Sequence, residues 1–404
     1  MPGYELFGAE ERKHINDVME TGILMRYGFD GPRKGIWKAK ELEQALCKTF
    51  NTPYSYVVSS GTAALTLALS ALGIGAGDEV IMPTFTFVAS FEAVVSVGAI
   101  PVLVDIDETL TVDPKAVEAA ITPQTKAIMP VHMCGSMSQL DELQDICKRH
   151  GLFLLEDACQ AIGGTYKGKS LGTIGDAGTF SFDFVKIITC GEGGAVLTKH
   201  ADVADKVEQF SDHGHDHMGK DRGADLHPYL GYNFRISELH AAIGLAQVGR
   251  LNEFLALQRR NHSLLYAELK NVAGLSFRVI PDAAGDTGSF LSYFLPTENM
   301  ARKAAAELNA AGLGSAYWYD NNWHYIRKWQ HLQNGDFMSR LPEAQKKQVM
   351  HYTNMAFPAS DAIIGRCIST PISLLWDEAQ ATERGQKMAA ILKNVIETSA
   401  VAAG

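Results

Sequence analysis

A single lysine, Lys186, lies between an apolar run, Thr179 to Val185, and a glycine-rich turn, Gly191 to Gly194. Removing water from a lysine amine lowers its pKa and makes it a nucleophile toward a carbonyl. A solvated surface charge is the other reading of a lone lysine, so the neighbouring motifs decide. Upstream, Ser59-Ser60-Gly61-Thr62 stands where a strand gives way to a helix. Free backbone N–H groups and the helix dipole favour an anion there, and small side chains let a phosphate approach. A plain Ser/Thr helix cap suits the same position.

Glu156 and Asp157 end the apolar run Phe153-Leu154-Leu155. Strand-end carboxylates in a parallel sheet point into its ligand crevice. Such an acid keeps a pyridine nitrogen protonated, so that the ring accepts electrons as a carbanion forms. Capping the next helix is the alternative for Asp157, and Gln160, one turn on, is placed to reach a ring hydroxyl. An anion cradle, an acid and a lysine in that order are the parts needed to hold pyridoxal phosphate. Phe85 and Phe87 follow another strand end, where an aromatic stacks on a flat ring or simply joins the core. Ser181 offers a hydroxyl to the phosphate, and Asn233, in Gly231-Tyr-Asn-Phe-Arg235, an amide donor. His213, His215 and His217 alternate in a polar loop without a thiolate or an H-E-x-x-H helix. They read as a polar or substrate-facing loop, and no metal site is expected.

The elements that must position these groups follow from periodicity. Tyr54–Ser59, Glu79–Met82, Ile100–Asp105, Ala127–His132 and Phe153–Glu156 read as short buried strands, separated by helical patterns at Gly61–Leu72, Phe91–Val97, Pro114–Ala120 and Gln139–His150. Phe180–Phe184 and Ala195–Thr198 read as a hairpin around Lys186. The alternation predicts an α/β fold with a mostly parallel sheet covered on both faces. An amphipathic run from Ser237 to Leu269 leaves this part, and short strands near Leu275–Ile280 and Ser292–Leu295 begin a smaller one. Helices follow at Met300–Ala311 and Glu378–Ala400, and Asp320–Pro358 reads as an excursion on the smaller part. The expected division is 1–250, a large cofactor-binding domain with its N-terminal segment, and 251–404, a smaller C-terminal domain.

The chain has 404 residues and a net charge of −10. That balance argues against nucleic acid as a partner. Six scattered cysteines without a CxxC pair argue against structural zinc or a disulfide framework. No stretch is long and apolar enough for a membrane span, and no signal peptide is legible, so a cytoplasmic enzyme is expected.

Taken in order, these motifs resemble the DegT/StrS-type sugar aminotransferases, which have the type I (aspartate-aminotransferase-like) fold. The resemblance covers nearly the whole chain. It rests on Ser60-Gly-Thr-Ala-Ala-Leu65, Pro83-Thr-Phe-Thr-Phe-Val-Ala89, Glu156-Asp-Ala-Cys-Gln-Ala161, Gly175-Asp-Ala-Gly-Thr-Phe-Ser-Phe182, Gly191-Glu-Gly-Gly194 and Gly231–Arg235. It implies that Lys186 is the Schiff-base lysine and proton carrier, and that Asp157 pairs with the pyridine nitrogen. It further implies that Gln160 meets the ring oxygen, that Phe87 covers the ring, and that Ser60, Gly61, Thr62 and Ser181 hold the phosphate. Asn233 would reach the phosphate of a neighbouring subunit, making the enzyme a homodimer with a shared site.

Two features depart from the family pattern. Cys134 stands where an aromatic is common, and the segment Met25–Trp37 is unusually aromatic and basic. Arg26, Tyr27, Arg33 and Lys34 in that segment suit an acidic substrate; for Arg33 and Lys34 a surface charge is the other reading. With Tyr317–His324 they resemble the branch that aminates 8-oxo-3,8-dideoxy-octulosonate, a Kdo-derived lipopolysaccharide sugar, with glutamate as donor. Nucleotide-linked keto sugars (dTDP-, UDP- or GDP-linked) are the alternative substrates. A pyridoxal-phosphate-binding regulatory protein is the alternative of another class.

Overall fold

In the computed structural model, the described residues are 3–219, 223–335, 340–352 and 355–401. Seven short, mostly buried strands are β1 (Tyr54–Val58), β2 (Glu79–Pro83), β3 (Ile100–Val104), β4 (Thr125–Ile128), β5 (Phe153–Asp157), β6 (Ala177–Ser181) and β7 (Gly194–Thr198). They form one sheet in the order β1-β7-β6-β5-β4-β2-β3. β6, β5, β4, β2 and β3 run parallel, and β7 is antiparallel to both β6 and β1. Strands β1, β2, β5 and β6 therefore point the same way, and their carboxyl ends share one edge of the sheet. This edge is where an open parallel sheet leaves room for a ligand.

Alternation along each strand sends side chains to two cores. Tyr56, Val58, Val80 and Met82 pack with the helices Gly61–Ala71 and Val88–Ser96 on one face. Val57, Ile81 and Leu154 pack with the helices Lys38–Phe50, Leu140–His150 and Glu238–Gly249 on the other. The helix Gly61–Ala71 is apolar nearly all round, as a helix enclosed by other elements must be.

A second, antiparallel sheet holds β8 (Ser276–Phe277), β9 (Phe290–Phe294), β10 (Ala316–Tyr317) and β11 (Cys367–Pro371), in the order β8-β9-β11-β10. A third core joins it to the helices Leu251–Leu269, Glu298–Ala310 and Glu378–Val401. The interior strand β11 was not anticipated, because its run Cys-Ile-Ser-Thr-Pro carries little apolar signal. The expected single run Ser237–Leu269 is two helices, broken at Arg250, whose φ of −105° and ψ of 2° interrupt the hydrogen-bond ladder.

Two expectations are corrected. The excursion 320–358 packs on the large sheet rather than on the small one; its residues 336–339 and 353–354 lie outside the described residues. Tyr325, Trp329 and Tyr352 share a core with Phe85, Phe91 and Leu103. Tyr352 Oη donates to Pro101 O at 2.7 Å, and Gln345 Nε2 donates to Val95 O and Ala99 O at 2.9 and 2.8 Å. Around Lys186, the hairpin strands end at Ser181 and begin again at Gly194, and the lysine sits in the irregular loop between them. Phe184 and Val185 are exposed rather than packed around its amine. Among the described residues no helix is long and apolar enough to cross a membrane.

Candidate active site

A cavity of about 200 Å³ opens at the shared strand ends. Ser60, Gly61, Thr62, Phe87, Asp157, Gln160, Ser181 and Lys186 all line it. Residues spread over more than a hundred positions meet here because four strands deliver their carboxyl ends to one edge.

Ser60 caps the helix Gly61–Ala71, its side chain accepting from Ala63 N at 3.0 Å. The Gly61 and Thr62 N–H groups at the helix start lie outside that capping bond. A Cβ on Gly61 would stand 2.8 Å from Ser181 Cβ and 3.2 Å from Cys159 Sγ, so only glycine leaves this floor open. Gly194 brings the neighbouring backbone as close: a Cβ there would meet Ser60 O at 2.3 Å. Bare N–H groups, the hydroxyls of Ser60, Thr62 and Ser181 and a helix start make a fitting cradle for a phosphate.

The two adjacent acids at the end of β5 have different surroundings. Glu156 faces inward, where its carboxylate accepts from Gly172 N, Ile174 N and Gly175 N at 2.9, 2.7 and 2.7 Å. His132 completes the set: its Nδ1 accepts from Ser138 N at 3.2 Å, so its ring proton sits on Nε2, 3.0 Å from Glu156 Oε2. Asp157 faces the cavity. Its Oδ2 accepts from Ser90 Oγ at 2.6 Å and its Oδ1 from Cys159 N at 3.1 Å. Ser90 is itself bonded to Thr86 Oγ1 at 2.7 Å, so neutral donors orient the carboxylate. An oriented acid of this kind fits a pyridine nitrogen.

Gln160 Oε1 accepts from Cys134 N at 3.0 Å, leaving its Nε2 as the group to donate into the cavity. The turn that supplies this N–H has Cys134 in left-handed backbone, φ 55°. Lys186 is half-buried, and its backbone is fixed at both ends: Lys186 N donates to Asp183 O at 3.0 Å, and its carbonyl accepts from Gly3 N at 2.9 Å.

Two residues with no role assigned from the sequence belong to the site. Ser90 has a faint signal, standing one helical turn after Thr86. His324 ends the aromatic motif Tyr317–His324, but its place in this cavity has no local signal, because the excursion that carries it is brought in by tertiary packing. Its segment is stitched to the strand-end loop through Thr86 N to His324 O at 3.0 Å and Val88 N to Trp323 O at 2.8 Å. Asn321 Oδ1, which also accepts from Trp323 N, lies 2.9 Å from His324 Nδ1 and fixes the proton there, leaving Nε2 as an acceptor. Burial, reinforced by the charge of Lys186, pushes the His324 pKa down to about 3.

The cations of the N-terminal segment are elsewhere. Arg26 is buried, with Nη2 2.8 Å from Glu43 Oε1 and Nη1 donating to Val57 O at 2.9 Å. Arg33 is buried too, its Nη1 3.3 Å from Glu238 Oε1 and its guanidinium 3.8 Å from the Trp37 ring centre. Burial pushes Arg33 down and Glu238 up, so packing rather than a net electrostatic gain holds that pair. Tyr27 Oη bonds Tyr56 Oη, and its ring lies 4.2 Å from that of His217. Lys34 is exposed with φ 52°. None of the four lines the cavity. The expectation that Arg26 and Arg33 greet a substrate acid is corrected by these internal partners. Asn233 is exposed and also lies outside the lining. Among the described residues no group of three or more His, Cys, Asp or Glu could hold a metal.

A parallel-sheet crevice with a helix-start anion cradle, an oriented acid and a lysine defines the type I pyridoxal-phosphate fold, and the cofactor that fits it is pyridoxal phosphate. Solved structures agree. Ntda from Bacillus subtilis, with bound cofactor PMP, matches at TM-score 0.76 and 29% identity over 98% of this chain and 84% of that one. DesI in the presence of its TDP-sugar product matches at TM-score 0.78 and 25% identity over 98% and 93%. Residues 7–383 match the model of one family, and the chain belongs to it: the DegT/DnrJ/EryC1/StrS aminotransferase family. GDP-perosamine synthase of Caulobacter vibrioides is 44% identical over 253 residues, which are 62% of this chain and 65% of that protein's length.

Proposed function

We propose that this chain is a sugar aminotransferase that moves an amino group from glutamate to the keto carbon of a nucleotide-linked sugar. The observation that carries the reading is the cavity at the strand ends, where Lys186, Asp157 and the Gly61 cradle line one space. Pyridoxal phosphate bound there supplies an aldehyde and an electron-accepting ring. Ser60, Gly61, Thr62 and Ser181 hold the phosphate, and Phe87 covers one face of the ring. Asp157, kept in place by Ser90 and the Cys159 N–H, holds a proton on the ring nitrogen. Gln160 Nε2 donates to the ring oxygen. Lys186 Nζ is the amine that would attach the cofactor and would hold the proton moved at the reacting carbons. Asn233, exposed and outside this cavity, serves the site of a second copy, so the working unit is a homodimer.

Two findings favour a nucleotide-linked sugar over the Kdo-derived one. The curated relative is named for a GDP-linked sugar, and DesI was solved with a TDP-sugar product. The argument for an acidic substrate also weakens once Arg26 and Arg33 face Glu43 and Glu238. The test is a half-reaction screen. The protein is converted with glutamate to its pyridoxamine phosphate form, and GDP-, dTDP- and UDP-linked keto sugars and 8-oxo-3,8-dideoxy-octulosonate are added in turn. Return of the pyridoxal absorbance with a nucleotide-linked sugar is the expected result; return only with the octulosonate would overturn the substrate assignment.

A further inference from the structure

A second cavity, about 560 Å³, lies between the helix Leu251–Leu269 and the strand pair β8–β9, and no step above uses it. Arg259 and Arg278 line it, with Asp286 as the one carboxylate among its lining residues. Arg278 is 8% exposed. Its Nε donates to Thr109 O at 2.6 Å and its Nη1 to Met133 O at 2.7 Å, while Nη2 has no hydrogen-bond partner among the described residues. A buried guanidinium bonded only to carbonyls is costly, because Asp286 and Asp107 act on the desolvated charge only through space. Burial accordingly pulls its pKa down.

The charges on the wall define what would relieve that cost. Two guanidiniums against one carboxylate leave a single positive charge, and burial keeps the adjoining His262 toward its neutral form. The rest of the wall offers Tyr266, Phe277 and Phe290. A single net charge with aromatic walls matches a monoanion with an apolar body and not a phosphate dianion.

The cavity also touches the first site through one turn. Arg278 holds Met133 O, Thr287 Oγ1 donates to Gly135 O at 2.9 Å, and Ser289 Oγ donates to Cys134 O at 3.4 Å. The N–H of Cys134, in that same turn, holds Gln160, which lines the first cavity. We propose that the second cavity binds a small organic carboxylate with an apolar or aromatic body against Arg259 and Arg278, and that its occupancy reaches Gln160 through the turn Met133–Gly135.

The test titrates the full chain, loaded with pyridoxal phosphate, by calorimetry with phenylacetate and, in a second arm, with inorganic phosphate. Phenylacetate binds once per chain and shifts the cofactor absorption band; phosphate does not bind. Arg259→Met, a change to a half-buried side chain, keeps basal turnover and weakens phenylacetate at least about tenfold, the loss of a charge-assisted hydrogen bond. Asp286→Asn tightens it, which a purely structural role for these residues would not produce. Absence of saturable phenylacetate binding overturns the proposal. So does binding that survives Arg259→Met and competes with glutamate, which would place the probe in the first cavity, and so does equal binding of phosphate. The calorimetric arms need no turnover, so they stand or fall separately from the aminotransferase reading.

Discussion

The carboxyl ends of β1, β2, β5 and β6 and the segment 25–37 are both dense in polar and aromatic side chains, yet they turn them in opposite directions. At the strand ends the pleat and the parallel connections oblige the chain to present its last residues to the crevice, so Asp157 and Ser181 face open space with their backbones already bonded. In segment 25–37 no such obligation exists. The loop folds inward, and Arg26 and Arg33 find Glu43 and Glu238 before any ligand can. For Asp157, Arg26 and Arg33, availability therefore follows the partners that the local backbone places within reach, not how well the side chain's chemistry suits a substrate.

The contrast can be broken experimentally. Lys186→Ala is expected to lower turnover by about 10⁴-fold or more, since both attachment and proton transfer lose their amine. Borohydride treatment followed by mass measurement would then find no covalently retained pyridoxal phosphate, and retained label would remove Lys186 from its role. Arg26→Met should act on stability instead. Leaving Glu43 without its buried partner costs about 3–5 kcal/mol, read by urea unfolding, while KM for the sugar stays level. A raised KM with unchanged stability would restore Arg26 as a substrate contact.

Gly61→Ala probes the cradle itself. The added methyl meets Ser181 Cβ at 2.8 Å, and overpacking of this kind costs about 1–3 kcal/mol, so cofactor affinity should fall about 5- to 150-fold with the fold intact. Per pH unit, a smaller effect is a stability slope. His324 is neutral in the folded chain down to about pH 3, whereas unfolded it takes up a proton near 6.5. The unfolded state then binds more protons between those values, so stability falls as pH drops from about 6.5 to 3, by up to about 1.4 kcal/mol per pH unit. His324→Gln should flatten that part of the stability-pH curve, and an unchanged slope would remove His324 as its source.

Much of the fold was legible because its signals are local. Ser60 before an apolar helix, Phe153-Leu-Leu before two acids, and glycines at close approaches each declare themselves within a few residues. The strand β11 was not legible, since Cys-Ile-Ser-Thr-Pro lacks apolar alternation and is recruited by pairing with β9 and β10. The excursion 320–358 reads as part of the smaller domain for a related reason: its aromatic residues state that they will be buried, but not against what. His324 reaches the site only through that same placement of a distant segment.

By itself, then, the sequence marked most strands of the large sheet, the lysine, the acid and the anion cradle, because periodicity, caps and strand ends are properties of short stretches of chain. Only the tertiary structure decided that Glu156 turns inward while Asp157 faces the cavity, that Arg26 and Arg33 are held by internal acids, and that His324 and Ser90 join the site. Those outcomes depend on which partners lie nearby in space, and competition between a ligand and an internal partner is resolved by burial and distance, which no single segment encodes.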